Sequence, residues 1–282
     1  MKNFIVRTIT SVFFVAAIVT SFLNPQAMTV LFCLVTGMTV WEFCGLVNQR
    51  EGVQVNRFIC TVASGYLFLA MTGYNSGMTP ATVFIPYLVS IVYLLVAELY
   101  LKAKDPINDW AYTMLTQLYI ALPFSLLNVL AFRSDGNAIQ YSYLAPLSVF
   151  VFLWINDAGA YCVGSLIGRN KLFPRISPGK SWEGSVGGGL LVVAAAVAVW
   201  YFTTQYGVND LGLSALEWAG LGLVVVIFGT WGDLIESLFK RTLGIKDSGN
   251  ILPGHGGMLD RFDSTLLAIP SAVVYLYTLT LF

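Results

Sequence analysis

The sequence has few charged residues and no excess of basic ones. Lys, Arg, Asp and Glu make up 11% of its 282 residues, and 15 basic side chains balance 15 acidic ones. Hydrophobic residues reach 57%, and the mean hydropathy is +0.74. A typical soluble domain carries about 25% charged residues, so this composition excludes a soluble globular domain. We therefore expect an integral membrane protein, with the lipid bilayer as a partner and no nucleic-acid partner.

The sequence also lacks cysteines in a metal-binding or disulfide pattern. Its four cysteines, Cys33, Cys44, Cys60 and Cys162, lie inside apolar stretches without the spacing of metal ligands. They are interpreted as small core residues, and no redox role is expected. No repeat of fixed period and no long linker occurs. We predict one membrane domain over residues 1–282, with N-terminal transmembrane helices over 1–140 and catalytic helices with cytoplasmic loops over 141–282.

Long apolar runs predict an all-α, polytopic membrane protein with about nine transmembrane helices. A helix needs roughly 20 apolar residues to cross a hydrocarbon core of about 30 Å. The runs are predicted to be helices, because lipid offers the backbone no hydrogen-bond partners and the alternation of a β-barrel is absent. They lie near residues 5–23, 27–48, 58–75, 81–101, 109–132, 143–167, 185–205, 214–242 and 262–281.

The distribution of basic residues predicts the orientation. The first run follows Lys2 and Arg7 without a convincing signal-peptide cleavage site, so we interpret it as the first helix. If the loops alternate between two sides, one side receives every basic residue except Arg133. By the positive-inside rule the N-terminus is cytoplasmic and the C-terminus is on the opposite side. The compact chain favours a bacterial inner membrane, with the charged stretch near residues 230–263 facing the cytoplasm.

The predicted helix over 214–242 ends with a stripe of polar side chains. Asp233, Glu236, Ser237 and Lys240 share one helical face at spacings of three and four residues. A carboxylate within the membrane costs about 2.5 kcal/mol or more, so we expect Asp233 to face a polar cavity. The simpler explanation is an Asp233–Lys240 pair that ends the helix, but these residues are too far apart for an i,i+4 contact.

The next segment, residues 253–263, reads PGHGGMLDRFD. Its glycines allow close backbone approach or positive φ. Asp260 and Asp263 lie one turn apart at the predicted start of the last helix, where helix capping alone would explain Asp263. A metal role is preferred for Asp260 because we expect Asp233 nearby, and Mg²⁺ is typically held by one or two carboxylates and substrate phosphates. The lone His255 is either a base or phosphate donor, or a loop histidine satisfied by backbone.

A third polar region covers residues 154–189. Asp157 and Tyr161 are i,i+4 neighbours, and an intramembrane carboxylate is a functional candidate by default. The nearby glycines are explained as well by close helix packing as by substrate contact. The basic loop over 168–184 is what topology alone requires, but its SPGKSWEG sequence favours phosphate binding by Lys180. Glu42 and Glu98 rank lower, because each can reach the interface or cap a neighbouring group.

Residues 237–264, SLFKRTLGIKDSGNILPGHGGMLDRFDS, resemble the signature of the phosphatidate cytidylyltransferases. The GDLIES stretch, the Asp157 segment and the SPGKSWEGSVGG loop are similar to that family too. The resemblance implies that CTP and phosphatidic acid react to CDP-diacylglycerol and pyrophosphate in an all-helical, Mg²⁺-dependent homodimer. It also implies that Asp233 and Asp260 form the metal centre, with K⁺ as a candidate second cation.

The combined interpretation assigns roles to the charged residues. The candidate catalytic residues are Asp233, Asp260, Lys240, Arg241 and Lys246, and Glu236 and Asp263 are further candidate metal ligands. The candidate substrate-binding residues are Asp157, Ser177, Lys180, Ser181, Lys246, Asp247, His255, Gly256, Gly257 and Arg261. Two alternatives remain: a CTP-dependent lipid kinase, and a transporter, since intramembrane carboxylates also mark transport pathways.

Overall fold

The computed structural model describes residues 2–134, 138–249, 251 and 256–280, with side chains described from residue 8 onward. The chain divides into two compact units. The first unit comprises Met1–Tyr141 and Leu243–Phe262, and the second comprises Ser142–Thr242 and Asp263–Phe282. The segment over residues 243–262 therefore groups with the N-terminal helices, although it lies between two helices of the second unit in sequence.

The described residues of the first unit are mainly helical and include one short hairpin. Its helices are α1 (Lys2–Phe22), α2 (Pro25–Val47), α3 (Arg57–Asn75), α4 (Ile85–Leu101), α5 (Pro106–Thr116), α6 (Leu122–Ser125), α7 (Leu127–Ala131) and α11 (Leu259–Phe262). A 3-10 turn, Ala81–Phe84, precedes α4, and a π-helical turn, Gln117–Ala121, links α5 to α6. Strands β1 (Phe132–Ser134) and β2 (Ile139–Tyr141) pair in antiparallel fashion.

The second unit contains four long helices and a second hairpin. Its helices are α8 (Leu144–Ile167), α9 (Trp182–Gln205), α10 (Ala215–Thr242) and α12 (Thr265–Leu279). Strands β3 (Lys171–Phe173) and β4 (Ser177–Ser181) form an antiparallel hairpin. The sequence predicted only a loop here, because the strands are short and β4 contains Pro178 and Gly179, which are rare inside strands.

Polar caps explain where several helices begin. Asn24, Asn56, Asp105 and Ser181 precede α2, α3, α5 and α9, and each side chain accepts a hydrogen bond from a backbone N–H of the first turn. These N–H groups have no partner within the helix, so the caps fix the helix starts.

The prediction of an all-helical, polytopic membrane protein is confirmed. Seven helical stretches in the described ranges are long and apolar enough to cross a membrane. The two other predicted spans coincide with α1, counted only from Thr8 to Phe22, and with α3, whose polar side chains lower its hydropathy. The number nine and the orientation of the chain stay predictions.

Aromatic packing holds α11 in the first unit. The Phe262 ring is fully buried, and its centroid lies 5.4–6.3 Å from those of Phe14, Phe32 and Phe124. These rings come from α1, α2 and α6. Offset and edge-on aromatic pairs are worth about 0.5–1.5 kcal/mol each beyond the area they bury. The short helix that carries Asp260 is therefore anchored on the N-terminal helices.

Glycines allow the helices of the second unit to pack closely, as one explanation of the sequence predicted. A Cβ atom at Gly184 of α9 would lie 2.7 Å from the Ala160 carbonyl oxygen of α8. A Cβ atom at Gly232 of α10 would lie 2.7 Å from the Asp263 carbonyl oxygen. Small residues at such contacts let backbones approach one another. Gly184 thus sets the close approach of α8 and α9, and Gly232 that of α10 and the start of α12.

The Gly184 contact leads to a stability prediction. We expect Gly184→Ala to lower the free energy of unfolding by about 1–3 kcal/mol, because the added methyl group meets backbone that cannot move without separating α8 from α9. Thermal unfolding of the purified protein in detergent measures this. Gly179→Ala is the matched control, since nothing lies within 4 Å of its added Cβ. Equal melting temperatures for both variants would contradict the packing role.

Candidate active site

Helix α10 carries the predicted polar stripe on one face. The Ser237 hydroxyl donates to Asp233 Oδ1 at 3.2 Å, and Lys240 Nζ lies 2.7 Å from Glu236 Oε2. Both contacts join residues four apart, as the helical period requires. Glu236 is only 1% exposed, so Lys240 neutralises a buried carboxylate. Lys240 pairs with Glu236 and not with Asp233, so the simpler explanation, an Asp233–Lys240 pair, does not apply, and the metal role of Glu236 stays a prediction.

Asp233 forms its ion pair with a residue from a different element. Lys180, on strand β4, places its Nζ 2.5 Å from Asp233 Oδ2. Each of the two side chains is about a quarter exposed, at 27% and 25%, so the pair remains open to surrounding solvent or ligands. The structure therefore brings the predicted phosphate-binding lysine to the predicted metal-binding aspartate.

Two further carboxylates share this region of the second unit. Asp263, just before α12, lies within electrostatic range of Asp233, Asp157 and Lys180. Its Oδ1 also accepts a hydrogen bond from the Ser264 backbone N–H at 2.6 Å, which agrees with a local role at the helix start. The start of α12 thus adds a carboxylate within electrostatic range of those on α8 and α10, and together they attract cations more strongly than any one of them alone.

The carboxylates do not form a dense metal cage. Within the described ranges, no group of three or more His, Cys, Asp or Glu side chains is placed to hold one ion. Mg²⁺ keeps several waters and is commonly held by one or two carboxylates together with substrate phosphates. The donor set, which consists of hard carboxylate oxygens, fits that ion.

A cavity of about 340 Å³ lies beside the Lys180–Asp233 pair. Asp157 and Tyr161 line it from the same face of α8, as their spacing predicted. Ser181 also lines it, but its Oγ accepts from the Gly184 N–H at 3.2 Å and so caps α9. The complete lining is Asn156, Asp157, Ala160, Tyr161, Gly179, Lys180, Ser181, Gly184, Ser185 and Thr230.

Three lining residues were missed from the sequence, namely Asn156, Ser185 and Thr230. Each is polar but uncharged and lies on a predicted membrane helix, where such residues commonly serve helix packing. The signal that could have identified Asn156 is its position directly beside Asp157. Ser185 lies four residues after Ser181, and Thr230 three residues before Asp233, so helical spacing places both on the faces already singled out.

In the first unit, Asp260 organises the loop that precedes it. Its Oδ2 accepts hydrogen bonds from the backbone N–H groups of Ser248 and Gly257, each at 2.8 Å. Gly256 has φ +84°, which confirms the predicted need for glycine at that position. Asp260 belongs to a different unit from Asp233, so its predicted role as the second metal ligand stays a prediction.

Glu42 is more central than its place in the sequence indicated. This buried α2 residue accepts from the Ser248 hydroxyl, from the Met258 N–H at 3.0 Å and from the Leu259 N–H at 3.1 Å. A Cβ atom at Gly249 would lie 2.7 Å from Glu42 Oε2, so this glycine makes room for the carboxylate. Glu42 thus binds both ends of the segment that Asp260 also holds.

The profile of the cytidylyltransferase family matches residues 5–279. The chain belongs to this family. It is 30% identical to the phosphatidate cytidylyltransferase of Staphylococcus aureus (strain COL) over 94% of this chain and 96% of the relative. The enzymes of the same name from Staphylococcus haemolyticus and Staphylococcus epidermidis show the same identity and the same coverage.

The remaining predicted site residues of this cytidylyltransferase differ in their surroundings. Arg241 Nε donates to the Ile176 carbonyl oxygen at 3.5 Å and so joins α10 to the β3–β4 hairpin. Lys246, Asp247 and Arg261 are exposed, and Ser177 begins β4. Their predicted substrate contacts stay predictions. His255 lies outside the described residues.

Proposed function

We propose that the chain transfers the cytidylyl group of CTP to phosphatidic acid, giving CDP-diacylglycerol and pyrophosphate. The observation that carries this proposal is the Lys180–Asp233 pair beside a polar cavity, on apolar helices of a cytidylyltransferase. The curated relatives named above are phosphatidate cytidylyltransferases, which supports the same lipid substrate here. The activity belongs to the nucleotidyltransferases of phospholipid biosynthesis.

Cytidylyl transfer requires that the two substrates be positioned and that their negative charge be neutralised. A phosphate oxygen of phosphatidic acid attacks the α-phosphorus of CTP in line, a new P–O bond forms, and the bond to pyrophosphate breaks. A phosphate monoester is already nucleophilic at neutral pH, so no strong base is required. Catalysis then depends on alignment and on cationic groups that stabilise the developing charge. Lys180, which pairs with Asp233 beside the cavity, would serve as such a group.

Mg²⁺ is the proposed cofactor. When bound, it neutralises phosphate oxygens and orients them for displacement. In the second unit, Asp233 would be a ligand, and Asp263 interacts electrostatically with both Asp233 and Asp157. Asp260 lies in the first unit, and its role as a second ligand is proposed from the family resemblance. K⁺ as a second cation is proposed only from the family resemblance.

We also propose that the site faces the cytoplasm of a bacterial inner membrane and that the protein is a homodimer. The orientation is supported by the placement of nearly all basic residues on one side of the predicted topology. It also agrees with the need to receive CTP from water and phosphatidic acid from the bilayer. The dimer is supported by the family resemblance alone.

The test uses purified protein in detergent with phosphatidic acid and CTP labelled at the α-phosphorus. We expect label in the lipid, release of pyrophosphate, and loss of both products when Mg²⁺ is removed. Transfer from CTP labelled at the γ-phosphorus, with release of CDP, would instead show a lipid kinase. Substrate flux across liposomes without nucleotide turnover would show a transporter.

Lys180→Ala is expected to reduce kcat/KM by about 10- to 100-fold, since a hydrogen bond to a charged group is worth about 1.5–3 kcal/mol. The effect arises because the phosphate loses its cationic partner, and steady-state kinetics with both substrates measures it. Lys171→Ala is the matched control, because Lys171 is an exposed lysine on β3 of the same hairpin. Unchanged kinetics for Lys180→Ala would leave the loop with a purely topological role.

A further inference from the structure

An apolar groove runs along α9 and α10 within the second unit. Its volume is about 440 Å³. Two rows of side chains line it, each repeating every four residues and so lying along one side of its helix. The rows are Trp182, Val186 and Leu190 on α9, and Leu223, Ile227 and Trp231 on α10. We call this feature the α9/α10 groove.

The α9/α10 groove is continuous with the polar cavity. Ser185 and Thr230 line both. Asp233 follows Thr230 by less than one helical turn, and Lys180 lies just before the start of α9. One end of the groove therefore opens beside the Lys180–Asp233 pair, and the other end, at Leu190 and Leu223, lies farther along the apolar helices.

Polar groups without partners lie at this junction. Asn156 is 5% exposed, and its Oδ1 has no hydrogen-bond partner in the described part of the chain. The half-buried hydroxyls of Ser185 and Thr230 make no hydrogen bond with any described residue, whereas Thr203, which is also on α9, donates to the Val199 carbonyl oxygen at 2.7 Å. A buried polar atom left unpaired is costly, which indicates that a ligand completes the site.

We propose that the α9/α10 groove holds an acyl chain of the phosphatidic acid substrate, with the glycerol ester region at Ser185 and Thr230 and the phosphate in the cavity. This inference rests on the proposed function. A diacyl phosphate is the ligand chemistry that fits, because an anionic head must be joined to a long apolar tail. The six groove side chains are exposed in the chain itself, and the two tryptophans stand at the polar end. Tryptophan favours that position because its ring is amphipathic.

Lipid that merely surrounds the protein would cover the same helices without regard to the cavity. A chain bound in the groove and bulk lipid differ in how the acyl-chain length of the substrate affects binding. A chain bound in the groove contributes to substrate binding with each buried methylene group, whereas bulk lipid contributes equally for every substrate. A change that fills the groove must therefore act on long-chain substrates and spare short-chain ones.

The experiment compares dioleoyl and dihexanoyl phosphatidic acid in mixed micelles with the full-length enzyme. Ile227→Trp fills the groove from α10. Gly189→Leu fills it from α9, where an added Cβ meets Val226 at an ordinary 3.5 Å. Val274→Trp is the matched control, because Val274 is an exposed β-branched residue on α12 outside the groove. For each variant the ratio of kcat/KM between the two lipids and the KM for CTP are measured.

We expect both groove variants to lower the long-chain to short-chain ratio by about tenfold, the loss of roughly two buried methylene groups, with the KM for CTP unchanged. The control keeps the wild-type ratio. An equal effect on both lipids, or no effect, overturns the proposal. Crosslinking of the wild-type protein by phosphatidic acid with a photoreactive acyl chain provides a second readout. We expect labelling of the groove that excess phosphatidic acid displaces and phosphatidylcholine does not.

The two readouts separate this inference from the proposed function. If the wild-type protein transfers no cytidylyl group to lipid, the proposed function fails, and crosslinking still reports whether the groove binds the acyl chain. If transfer occurs but label spreads over the α12 face and resists competition, the groove assignment fails while the proposed function stands.

Discussion

Asp233→Asn is expected to lower turnover by at least about 100-fold, the effect of removing one key electrostatic contact in an active site. Asp233 contacts Lys180 at 2.5 Å and Ser237 at 3.2 Å, so the substitution changes the charge at the position where lysine and carboxylates meet. Asparagine preserves the shape and keeps an oxygen that can accept from the Ser237 hydroxyl. The protein is therefore expected to remain folded while it loses activity.

The measurement is single-turnover incorporation of α-labelled CTP into lipid across a range of Mg²⁺ concentrations, with melting temperature recorded in parallel. Asp210→Asn is the matched control, since Asp210 is an exposed aspartate in the loop after α9 of the same unit. Near-normal turnover of Asp233→Asn at saturating Mg²⁺ would show that Asp233 is not a metal ligand. A large fall in melting temperature would assign the residue a structural role.

Asp260→Asn tests the second predicted metal ligand separately. Asparagine keeps an oxygen that can accept from Ser248 N–H and Gly257 N–H, so we expect the loop to persist while the carboxylate charge is lost. The expected result is a loss of turnover comparable with that of Asp233→Asn and a higher Mg²⁺ requirement for any residual activity. A normal Mg²⁺ dependence would restrict Asp260 to holding its loop.

Much of the fold could be predicted because lipid imposes simple rules on the sequence. Apolar length predicted the long helices, and the helical period predicted that Asp233, Glu236, Ser237 and Lys240 share one face. Close helix packing was one explanation of the glycines around Gly184, because small residues commonly mark close helix contacts. The β3–β4 hairpin was missed, since strands of three and five residues carry too little periodic signal.

The contacts that join distant parts of the chain could not be predicted. Lys180 was predicted to bind phosphate, but its pairing with Asp233 depends on how β4 meets α10. The Glu42–Ser248 hydrogen bond joins residues separated by 206 positions, and no spacing rule applies over that range. Asn156 and Thr230 were not predicted as site residues for a different reason: an uncharged polar residue in a membrane helix is consistent with ordinary packing.

Glu42→Ala is expected to remove most activity through the loop between Ser248 and Leu259. Glu42 is 7% exposed and accepts from the Ser248 hydroxyl and from the backbone N–H groups of Met258 and Leu259. Each donor left buried without a partner costs about 1–3 kcal/mol, so these donors favour an open loop that finds water. Asp260 directly follows Leu259, the last residue of this loop, and would lose its alignment. Glu42 is thus a positioning residue, and we expect kcat to fall more than the KM for CTP rises.

Hydrogen exchange gives the readout that separates this role from general destabilisation. The N–H groups of Met258 and Leu259 are expected to lose protection in Glu42→Ala, whereas the core of α2 keeps it. Glu42→Gln is expected to be intermediate, because one amide oxygen still accepts while the NH₂ group opposes a backbone donor. Glu98→Gln is the matched control: Glu98 is equally a buried glutamate of the first unit, but its Oε2 has no hydrogen-bond partner among the described residues. If Glu98→Gln and Glu42→Gln lose activity equally, or if Glu42→Ala leaves the Met258 and Leu259 amides protected, the loop is held by contacts other than Glu42.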